Sequence, residues 1–376
     1  MFISEISLGL LKTAIGFGLL SCAIAFLWAP LLTKFLYKFR LTRKADFDVT
    51  LNLEGRQGKA GVPIMGGLLV ILTVAIITVL FNWERKFTWV PIGVMLLAAL
   101  LGAADDILHV YGHERRIRKL NHIWRLICVH KDWKQRLWLA VMLPWSAFKR
   151  LSLWLGSHPG RSVHVHEKLI LQFAAGVITA WWIYSKLGEH WQEIFIPFDG
   201  YINIGWWIIP LIIAFVMFTA NAVNVADGMD GLAGGALITT FVALTFLSWV
   251  GGYPEITFLN ATAAGALITY TYFNVKPARF QMGDVGSLGL GALLAINAIV
   301  INRMLILPFF GFIFYIELLS VIIQVTGRHL LSRKIFKMAP IHHHFELRGW
   351  SEEKTVMRFW ILHAAMVLLG VWIALY

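Results

Sequence analysis

Long apolar stretches recur along the whole chain of 376 residues, and they constrain its fold more than any other feature of the sequence. A helix needs roughly 17–25 mainly apolar residues to cross the hydrocarbon core of a bilayer. Hydrophobic residues make up 58% of the chain and charged residues only 14%, a balance that water-soluble domains do not have. We therefore predict a multi-pass membrane protein that forms a single membrane domain over residues 1–376.

Ten windows have the length and composition of a membrane span. The predicted fold class is accordingly an all-α integral membrane protein with about ten transmembrane helices. The first window is interpreted as a span and not as a removable signal peptide, because it is too long and no basic segment precedes it. The windows cover residues 6–36, 62–82, 88–104, 169–187, 204–223, 232–250, 258–275, 285–301, 304–326 and 359–376.

The distribution of Lys and Arg predicts the orientation of the chain, because basic loops resist translocation and stay on the cytoplasmic side. The loops that follow odd-numbered windows hold 27 of the 33 Lys and Arg residues. These loops are predicted to face the cytoplasm, and both termini then lie outside. The formal charge of +12 belongs to the inner face, where it meets anionic lipids or anionic substrates. Nucleic acid is not an expected partner, because no soluble module carries this charge.

Four polar clusters fall on the predicted cytoplasmic face. Acidic residues at the inner boundary of three different spans indicate a common site there. The competing interpretation is that solvated carboxylates and Asp-Gly turns merely form polar loops. The clusters are Asp105 and Asp106 after the third window, Asn224, Asp227 and Asp230 after the fifth, Asn274 and Asp284 between the seventh and eighth, and His342, His343 and His344 in the ninth loop.

The residue types in these clusters favour phosphoryl chemistry on a lipid. Adjacent carboxylates such as Asp105 and Asp106 hold their charges more easily beside a cation, and a metal ion is one such partner. Asp284 lies in "GDVGSLGLG", where glycines and backbone N–H groups at the start of a span accommodate an anion or a metal-bound phosphate. The histidines do not suit zinc, since adjacent residues do not converge and no cysteine accompanies them. Hydrogen bonding to phosphates or to carboxylates suits them better.

The segment 110–165 is predicted to be a long, basic, Trp-rich insertion in the cytoplasmic interface. It interleaves Trp with Lys and Arg, the pattern of helices that lie along the membrane surface. Lys149 and Arg150 argue against another crossing, and a helix break is predicted near Pro144. The alternative is that these helices only cover the protein's own spans.

Several motifs resemble those of the bacterial phospho-N-acetylmuramoyl-pentapeptide transferases (translocase I), within the polyprenyl-phosphate N-acetylhexosamine-1-phosphate transferase superfamily. They occur in the family's order across nearly the full chain, and the histidine motif is the most specific because the wider superfamily has a different histidine pattern. The matching segments are "KAGVPIMGG" at 59–67, "DD" at 105–106, "KLILQ" at 168–172, "NAVNVADGMDGLAGG" at 221–235, "MGDVGSLGLG" at 282–291 and "APIHHHFELRGW" at 339–350.

The resemblance implies an enzyme of the bacterial inner (cytoplasmic) membrane that transfers phospho-MurNAc-pentapeptide from UDP-MurNAc-pentapeptide to undecaprenyl phosphate. The products are lipid I and UMP, in peptidoglycan biosynthesis. It implies Mg²⁺ as cofactor, with Asp284 as its ligand, and allows a homodimer. The implied catalytic residues are Asp105, Asp106, Asp284 and His343, and the implied substrate-binding residues are Lys59, Asn224, Asp227, Asp230, Asn274, Gly283, His342 and His344.

The chain departs from the family pattern at several positions. Val62 and Ile64 stand where the family has threonines, and His109 stands where it has a lysine. Gln281 replaces a phenylalanine that serves uracil stacking in the family, although Phe280 lies one residue earlier. These departures keep other functions open: a related hexosamine-1-phosphate transferase, or a catalytically altered paralogue that binds lipid or a protein partner. A transporter is a weaker alternative, because its buried acids would lie near the midplane in repeated halves.

Overall fold

The computed structural model describes residues 5–42, 61–85, 87–112, 120–130, 132–154, 165–186 and 189–376. The described chain is almost entirely helical, with one short β-hairpin on the predicted outer side. In chain order the elements are α1 Glu5–Lys38, α2 Leu68–Phe81, α3 Trp89–Tyr111, α4 Leu120–Val129, α5 Trp133–Trp154, α6 Val165–Lys186, β1 Glu193–Ile196, β2 Gly200–Asn203, α7 Ile208–Ala226, α8 Leu232–Val250, α9 Pro254–Asn274, α10 Gly283–Val300, α11 Leu307–Phe310, α12 Phe312–Leu330, α13 Ile341–Glu346 and α14 Glu352–Ala374.

A helix coincides with each of the ten predicted windows, and seven of the described helices are long and apolar enough to cross a membrane. Those seven are α1, α3, α7, α8, α10, α12 and α14. Helix α2 has only 14 residues, and α6 and α9 carry more polar side chains. Most of α9 is buried against other helices, so it does not need a uniformly apolar surface. The chain is an integral membrane protein, and the number of ten spans stays a prediction.

Helix α10 lies at the centre of the bundle and is buried along nearly its whole length. It packs most closely against α3 and α7. Glycines permit close packing around α10: a Cβ atom added at Gly286 would lie 2.7 Å from Cα of Gly67, just before α2, and one added at Gly291 would lie 2.7 Å from Cα of Ala220 on α7. Small residues at such contacts let membrane helices approach to backbone contact. The start of α10 is therefore held in place by the surrounding helices.

A two-stranded antiparallel hairpin is the departure from the predicted all-α class. Strand β1 pairs with β2 between α6 and α7, with Ile196 opposite Gly200. The turn contains Phe198 and Gly200 at positive φ, a conformation that glycine adopts without strain. In β1 the adjacent side chains of Ile194 and Phe195, which point to opposite faces of the strand, are both buried. Neither segment is long enough to alter the hydropathy pattern, so the hairpin leaves no signal in it.

The predicted insertion forms two described helices, α4 and α5, which pack against each other, and α5 also contacts α6. The helix break predicted near Pro144 is wrong, because α5 continues through this residue. A proline inside a helix removes one backbone hydrogen bond but does not always end the helix. The helices separate instead between Val129 and Trp133.

Candidate active site

A cluster of charged side chains forms where α3, α6 and α10 meet. The Lys168 ammonium, in the first turn of α6, lies 2.5 Å from Oδ2 of Asp284 and 2.6 Å from Oδ2 of Asp105. Asp105 is buried on α3, and Asp284 opens α10. A Cβ atom added at Gly102 would overlap the Asp284 carbonyl, so α3 touches the first turn of α10 one helical turn before Asp105. This close packing brings two carboxylates to one ammonium group.

Asp106 is directed at the backbone of α10 and not at the ammonium. Its Oδ1 accepts a hydrogen bond from the N–H of Asp284 at 3.2 Å, and its Oδ2 accepts one from the N–H of Val285 at 3.1 Å. Oδ2 of Asp227 accepts a third, from the N–H of Gly283 at 3.1 Å. The first N–H groups of a helix have no partner within the helix, and anionic groups stabilise that end. Two of the predicted site residues therefore anchor the helix terminus that carries Asp284.

Gly283 is required at its position for two reasons. Its φ is +70°, a conformation that residues with a Cβ atom rarely adopt. A Cβ atom there would also lie 2.6 Å from Oδ2 of Asp106 and 2.9 Å from the backbone nitrogen of Met65. The predicted substrate-binding role of Gly283 is thus accompanied by a steric role, because any side chain would separate Asp106 from α10.

Asn224 orients the Asp284 carboxylate. Its Nδ2 donates to Oδ1 of Asp284 at 2.8 Å and to Oγ of Ser287 at 2.9 Å. Because Lys168 contacts the other oxygen of Asp284, each oxygen of this carboxylate has a partner. Asn224 therefore lies within the cluster, but in the last turn of α7 and not in the loop predicted after the fifth window.

Asp230 and Asn274 connect two loops beside the cluster. Oδ1 of Asn274 accepts from the N–H of Gly231 at 2.9 Å, and its Nδ2 donates to the Phe280 carbonyl at 2.9 Å. The side chain of Asp230 accepts a hydrogen bond of 3.4 Å from the N–H of Ala278. Both side chains are buried, and their contacts hold the loop after α7 against the loop before α10.

The first two histidines of α13 join the aspartate loop to α12. Nδ1 of His342 lies 3.0 Å from Oε2 of Glu317, and both side chains are fully buried. A Cβ atom added at Gly228 would lie 2.5 Å from Nε2 of His342, so the imidazole packs on the turn that follows Asp227. Nε2 of His343 lies 3.2 Å from Nε2 of His342, and Nδ1 of His343 lies 2.7 Å from Oε2 of Glu346. These contacts link two carboxylates and two imidazoles in a chain, in which His342–His343 and His343–Glu346 are hydrogen bonds and His342–Glu317 is a close contact of a possible ion pair.

His344 does not join this chain. Its Nδ1 accepts a hydrogen bond from the N–H of Lys337 at 3.1 Å, and its ring contacts Phe336 edge-on. Burial and the nearby cations Arg348 and Lys337 lower the pKa of His344 below its ordinary value. The three adjacent imidazoles are therefore divided between two environments, because successive residues of a helix point in different directions.

The structure also adds residues that the sequence analysis did not assign to the site. Lys168 lay within a matching motif but had no assigned role, although a lysine opening an apolar window at the inner boundary is a usable signal. Glu317 interrupts the apolar run "FIFYIELL", and a buried acid within a span is itself a sign of function. Lys59, predicted to bind substrate, lies outside the described residues.

The loop that precedes Asp284 places its two candidate stacking residues differently. Phe280 is fully buried and packs against Tyr270 and Phe273, with ring centroids 5.8 and 5.9 Å apart. Gln281 is half-buried, and its backbone bonds to Pro63 and Gly66. The Phe280 ring thus belongs to the core and has no free face for a nucleobase.

An apolar groove runs between α3 and α6 and ends near the charged cluster. Its outer part encloses about 760 Å³ and is lined by Gly93, Trp181 and other residues of the two helices. Its inner part, of about 370 Å³, includes Leu101 and Leu171, and both parts share Leu97 and Ile178. Leu101 and Leu171 each lie about one helical turn from Asp105 and Lys168 respectively. The groove therefore connects the lipid-exposed surface with the ammonium–carboxylate cluster.

The donor atoms at the cluster suit a hard divalent cation. Among the residues that the structure describes, no three His, Cys, Asp or Glu side chains converge as a ready-made metal site. Asp105 and Asp284 do share one cationic neighbour, the Lys168 ammonium. Mg²⁺ commonly takes one or two protein carboxylates and completes its coordination with substrate phosphates and waters. Two converging carboxylates fit that pattern.

Comparisons with known proteins point in one direction. Residues 160–302 match the family model described as glycosyl transferase family 4. A phospho-N-acetylmuramoyl-pentapeptide-transferase of Chloroflexus aurantiacus is 34% identical, over 89% of this chain and 84% of the relative. Proteins with the same name from Caldanaerobacter subterraneus subsp. tengcongensis and Clostridium botulinum are each 30% identical, over 92% and 95% of this chain and 93% and 95% of the relatives. The resemblance stated from the motifs is thereby confirmed.

Proposed function

The chain belongs to the phospho-N-acetylmuramoyl-pentapeptide-transferase family, and we propose that it makes lipid I in peptidoglycan biosynthesis. It transfers phospho-MurNAc-pentapeptide from UDP-MurNAc-pentapeptide to undecaprenyl phosphate and releases UMP. The observation that carries this proposal is the Lys168 ammonium held between Asp105 and Asp284 at the inner end of an apolar groove. Such an arrangement suits a substrate that has a phosphate head and a long apolar tail.

The acceptor phosphate is itself the nucleophile in this reaction. One of its oxygens bonds to the β-phosphorus of the nucleotide sugar, while the bond from that phosphorus to the bridging oxygen breaks and UMP leaves with the oxygen. The second pKa of a phosphate monoester is about 6, so the acceptor is largely dianionic at neutral pH. Asp105 accepts the remaining proton where one is present, and this assistance is modest.

The larger barrier is the repulsion between two anionic phosphates, and the residues of the cluster reduce it. Lys168 turns its ammonium from the carboxylates to the phosphate oxygens, and Asn224 keeps the Asp284 carboxylate in a fixed orientation. Bound by Asp284 and Asp105, Mg²⁺ would neutralise phosphate charge and stabilise the UMP leaving group. Asp106 and Asp227 hold the end of α10 in register with these groups. His342 and His343 are proposed to contact the phosphates of the nucleotide sugar beside the Asp227 turn.

The function is tested with the purified chain in lipid nanodiscs supplied with undecaprenyl phosphate. We expect UMP release that requires both UDP-MurNAc-pentapeptide and Mg²⁺, and a lipid product that carries the sugar. Release from UDP-N-acetylglucosamine instead would favour a related hexosamine-1-phosphate transferase. Binding of the acceptor without any UMP release would favour a catalytically altered paralogue.

We place both termini outside and the charged cluster at the cytoplasmic face of the bacterial inner membrane, since the basic loops surround that cluster. In a variant without Cys22 and Cys128, a cysteine at exposed Arg348 should react with an impermeant thiol reagent only from the cytoplasmic side. A cysteine at exposed Asp199, in the hairpin turn, should react only from outside. Labelling of both from the same side would contradict this orientation.

None of the described surfaces argues for a homodimer.

The groove between α3 and α6 is proposed to hold the polyprenyl tail of the acceptor. Gly93 is about 18 Å along α3 from Asp105, and a Cβ atom there would have no neighbour within 4 Å. Gly93→Trp should therefore fill the groove without disturbing the fold, and raise KM for undecaprenyl phosphate about tenfold, a typical discrimination by an apolar pocket. Steady-state kinetics at saturating nucleotide sugar measures this change.

A short-chain polyprenyl phosphate whose tail ends before Gly93 provides the internal control. Its KM should not change in the Gly93→Trp variant. The matched substitution is Gly16→Trp on α1: an added Cβ atom there also has no neighbour within 4 Å, and Gly16 does not line the groove between α3 and α6. An unchanged KM for undecaprenyl phosphate in the Gly93 variant would place the tail elsewhere, without affecting the transferase assignment.

A further inference from the structure

The α4–α5 hairpin has an exposed apolar face that its own fold does not cover. Helix α5 turns Leu139 inward, where it is 8% exposed, and half-buries Met142 and Leu143 on the same side. On the opposite side, Trp133 and Val141 are 67% and 66% exposed. The spacing of Trp133, Leu137, Val141 and Phe148 places all four on one face of α5, since residues four apart are neighbours on a helix surface.

Cationic residues accompany this face. Between residues 110 and 165 there are eleven Lys and Arg residues but only two acidic residues, Glu114 and Asp132. Lys134 and Arg136 are exposed in the first turn of α5, and Arg125 is exposed on α4 beside Trp124, which is 59% exposed. Tryptophans together with cations are typical of helices that lie in the boundary between lipid headgroups and acyl chains.

The connections of the hairpin set its level in the membrane. Its ends continue from α3, which carries Asp105 and Asp106, and lead into α6, which carries Lys168 in its first turn. The hairpin therefore leaves and re-enters the bundle at the same boundary as the charged cluster. Apart from the contact between its two helices, the hairpin contacts α6 through α5, and α6 exposes Leu171 and Phe173. If water surrounded the hairpin, the apolar side chains exposed on α5 and on α6 would both face that water.

We infer that the α4–α5 hairpin lies in the headgroup region of the membrane leaflet that faces the charged cluster, and that its occupant is an anionic lipid surface. The tryptophans and aliphatic side chains of α5 enter the acyl boundary, and the basic residues pair with lipid phosphates. Anionic lipids attract such basic segments, and exposed tryptophans beside cations suit the headgroup boundary. The inference needs only that the chain spans a membrane, and it does not depend on the transferase reaction.

Site-directed fluorescence tests this placement in the full chain. In a background with Cys22→Ser and Cys128→Ser, single cysteines at Leu137, Val141 and Gln135 receive an environment-sensitive fluorophore. Gln135 is an exposed residue on the other side of α5. The protein is placed in nanodiscs of phosphatidylglycerol and phosphatidylcholine that contain lipids with a spin label on the acyl chain. Leu19 of α1, which is 68% exposed, provides the lipid reference. Asp199, in the turn between β1 and β2, provides the water reference.

We expect the spin-labelled lipid to quench the probes at Leu137 and Val141 at least about threefold more than the probe at Gln135, as for a helix buried on one face in the interface. Equal quenching at all three positions, at the level of Asp199, would overturn the inference and indicate that another protein covers this face. Changing Arg125, Lys134 and Arg136 to Glu should reduce the quenching in anionic discs to its value in pure phosphatidylcholine. Unchanged quenching in this variant would overturn the role of anionic lipid.

Discussion

Asp284→Asn is expected to lower the turnover of UMP release about 1,000-fold, a loss typical of removing one electrostatic group from a phosphoryl-transfer site. The substitution keeps the size of the side chain and its contact with Asn224, but it removes the charge that holds Lys168. The same change removes the proposed Mg²⁺ ligand. Initial rates at saturating concentrations of both substrates and Mg²⁺ measure this loss, and the midpoint of thermal unfolding in detergent reports whether the fold is retained.

The matched control is Asp199→Asn, in the hairpin turn that is distant in sequence and exposed. Its turnover should equal that of the unmodified chain. A second comparison separates catalysis from a purely structural ion pair. If the pair only maintained the fold, the double variant Asp284→Asn and Lys168→Met would recover much of the activity, because it removes both charges together. We expect the double variant to stay as slow as the single one, and near-normal turnover in either would refute the assignment of Asp284.

Lys168→Met should lower turnover about 100- to 1,000-fold, because the cluster then loses the cation that draws the acceptor phosphate towards the reacting phosphorus. The methionine retains an apolar stem of similar length along α6. Its loss of charge also leaves Asp105 and Asp284 facing each other, so thermal unfolding must be measured alongside the rates. In addition, KM for undecaprenyl phosphate should rise, since the ammonium is proposed to bind that phosphate directly.

Two further variants make this second prediction specific. Lys34→Met, at an exposed position of α1, removes one charge from the chain without touching the cluster and should leave the kinetics unchanged. Lys168→Arg keeps the charge, but the planar guanidinium is larger than an ammonium that fits within 2.6 Å of two carboxylates. We expect partial activity from it. If Lys168→Met altered stability but neither kcat nor KM, Lys168 would be a structural residue only.

Much of the site can be assigned to one face of the membrane from the linear sequence. Asp105, Asn224 and Asp284 each follow or open an apolar window, and alternation of basic and non-basic loops assigns those window ends to one side. The folded chain brings these three residues into one cluster with Lys168. Their convergence depends on how α3, α6, α7 and α10 pack, which hydropathy along a single chain does not report.

The direction in which each side chain points is less accessible from the sequence. Asp105 and Asp106 are adjacent and chemically identical, yet one faces Lys168 and the other accepts backbone hydrogen bonds from α10. His342 and His344 likewise differ, because one packs beneath the aspartate loop and the other turns to the Lys337 backbone. Successive residues of a helix point about 100° apart, so the neighbouring helices decide their roles.

The membrane class, the positions of the helices and the family can be read from hydropathy, charge bias and motif order, which are properties of the linear chain. The tertiary structure decided that Lys168 bridges two carboxylates, that Phe280 is buried in the core and that α5 continues through Pro144. Each of these depends on atoms supplied by segments distant in sequence, or on surrounding contacts that offset a local preference. Local composition reports neither kind of contact, and only the packed helices specify them.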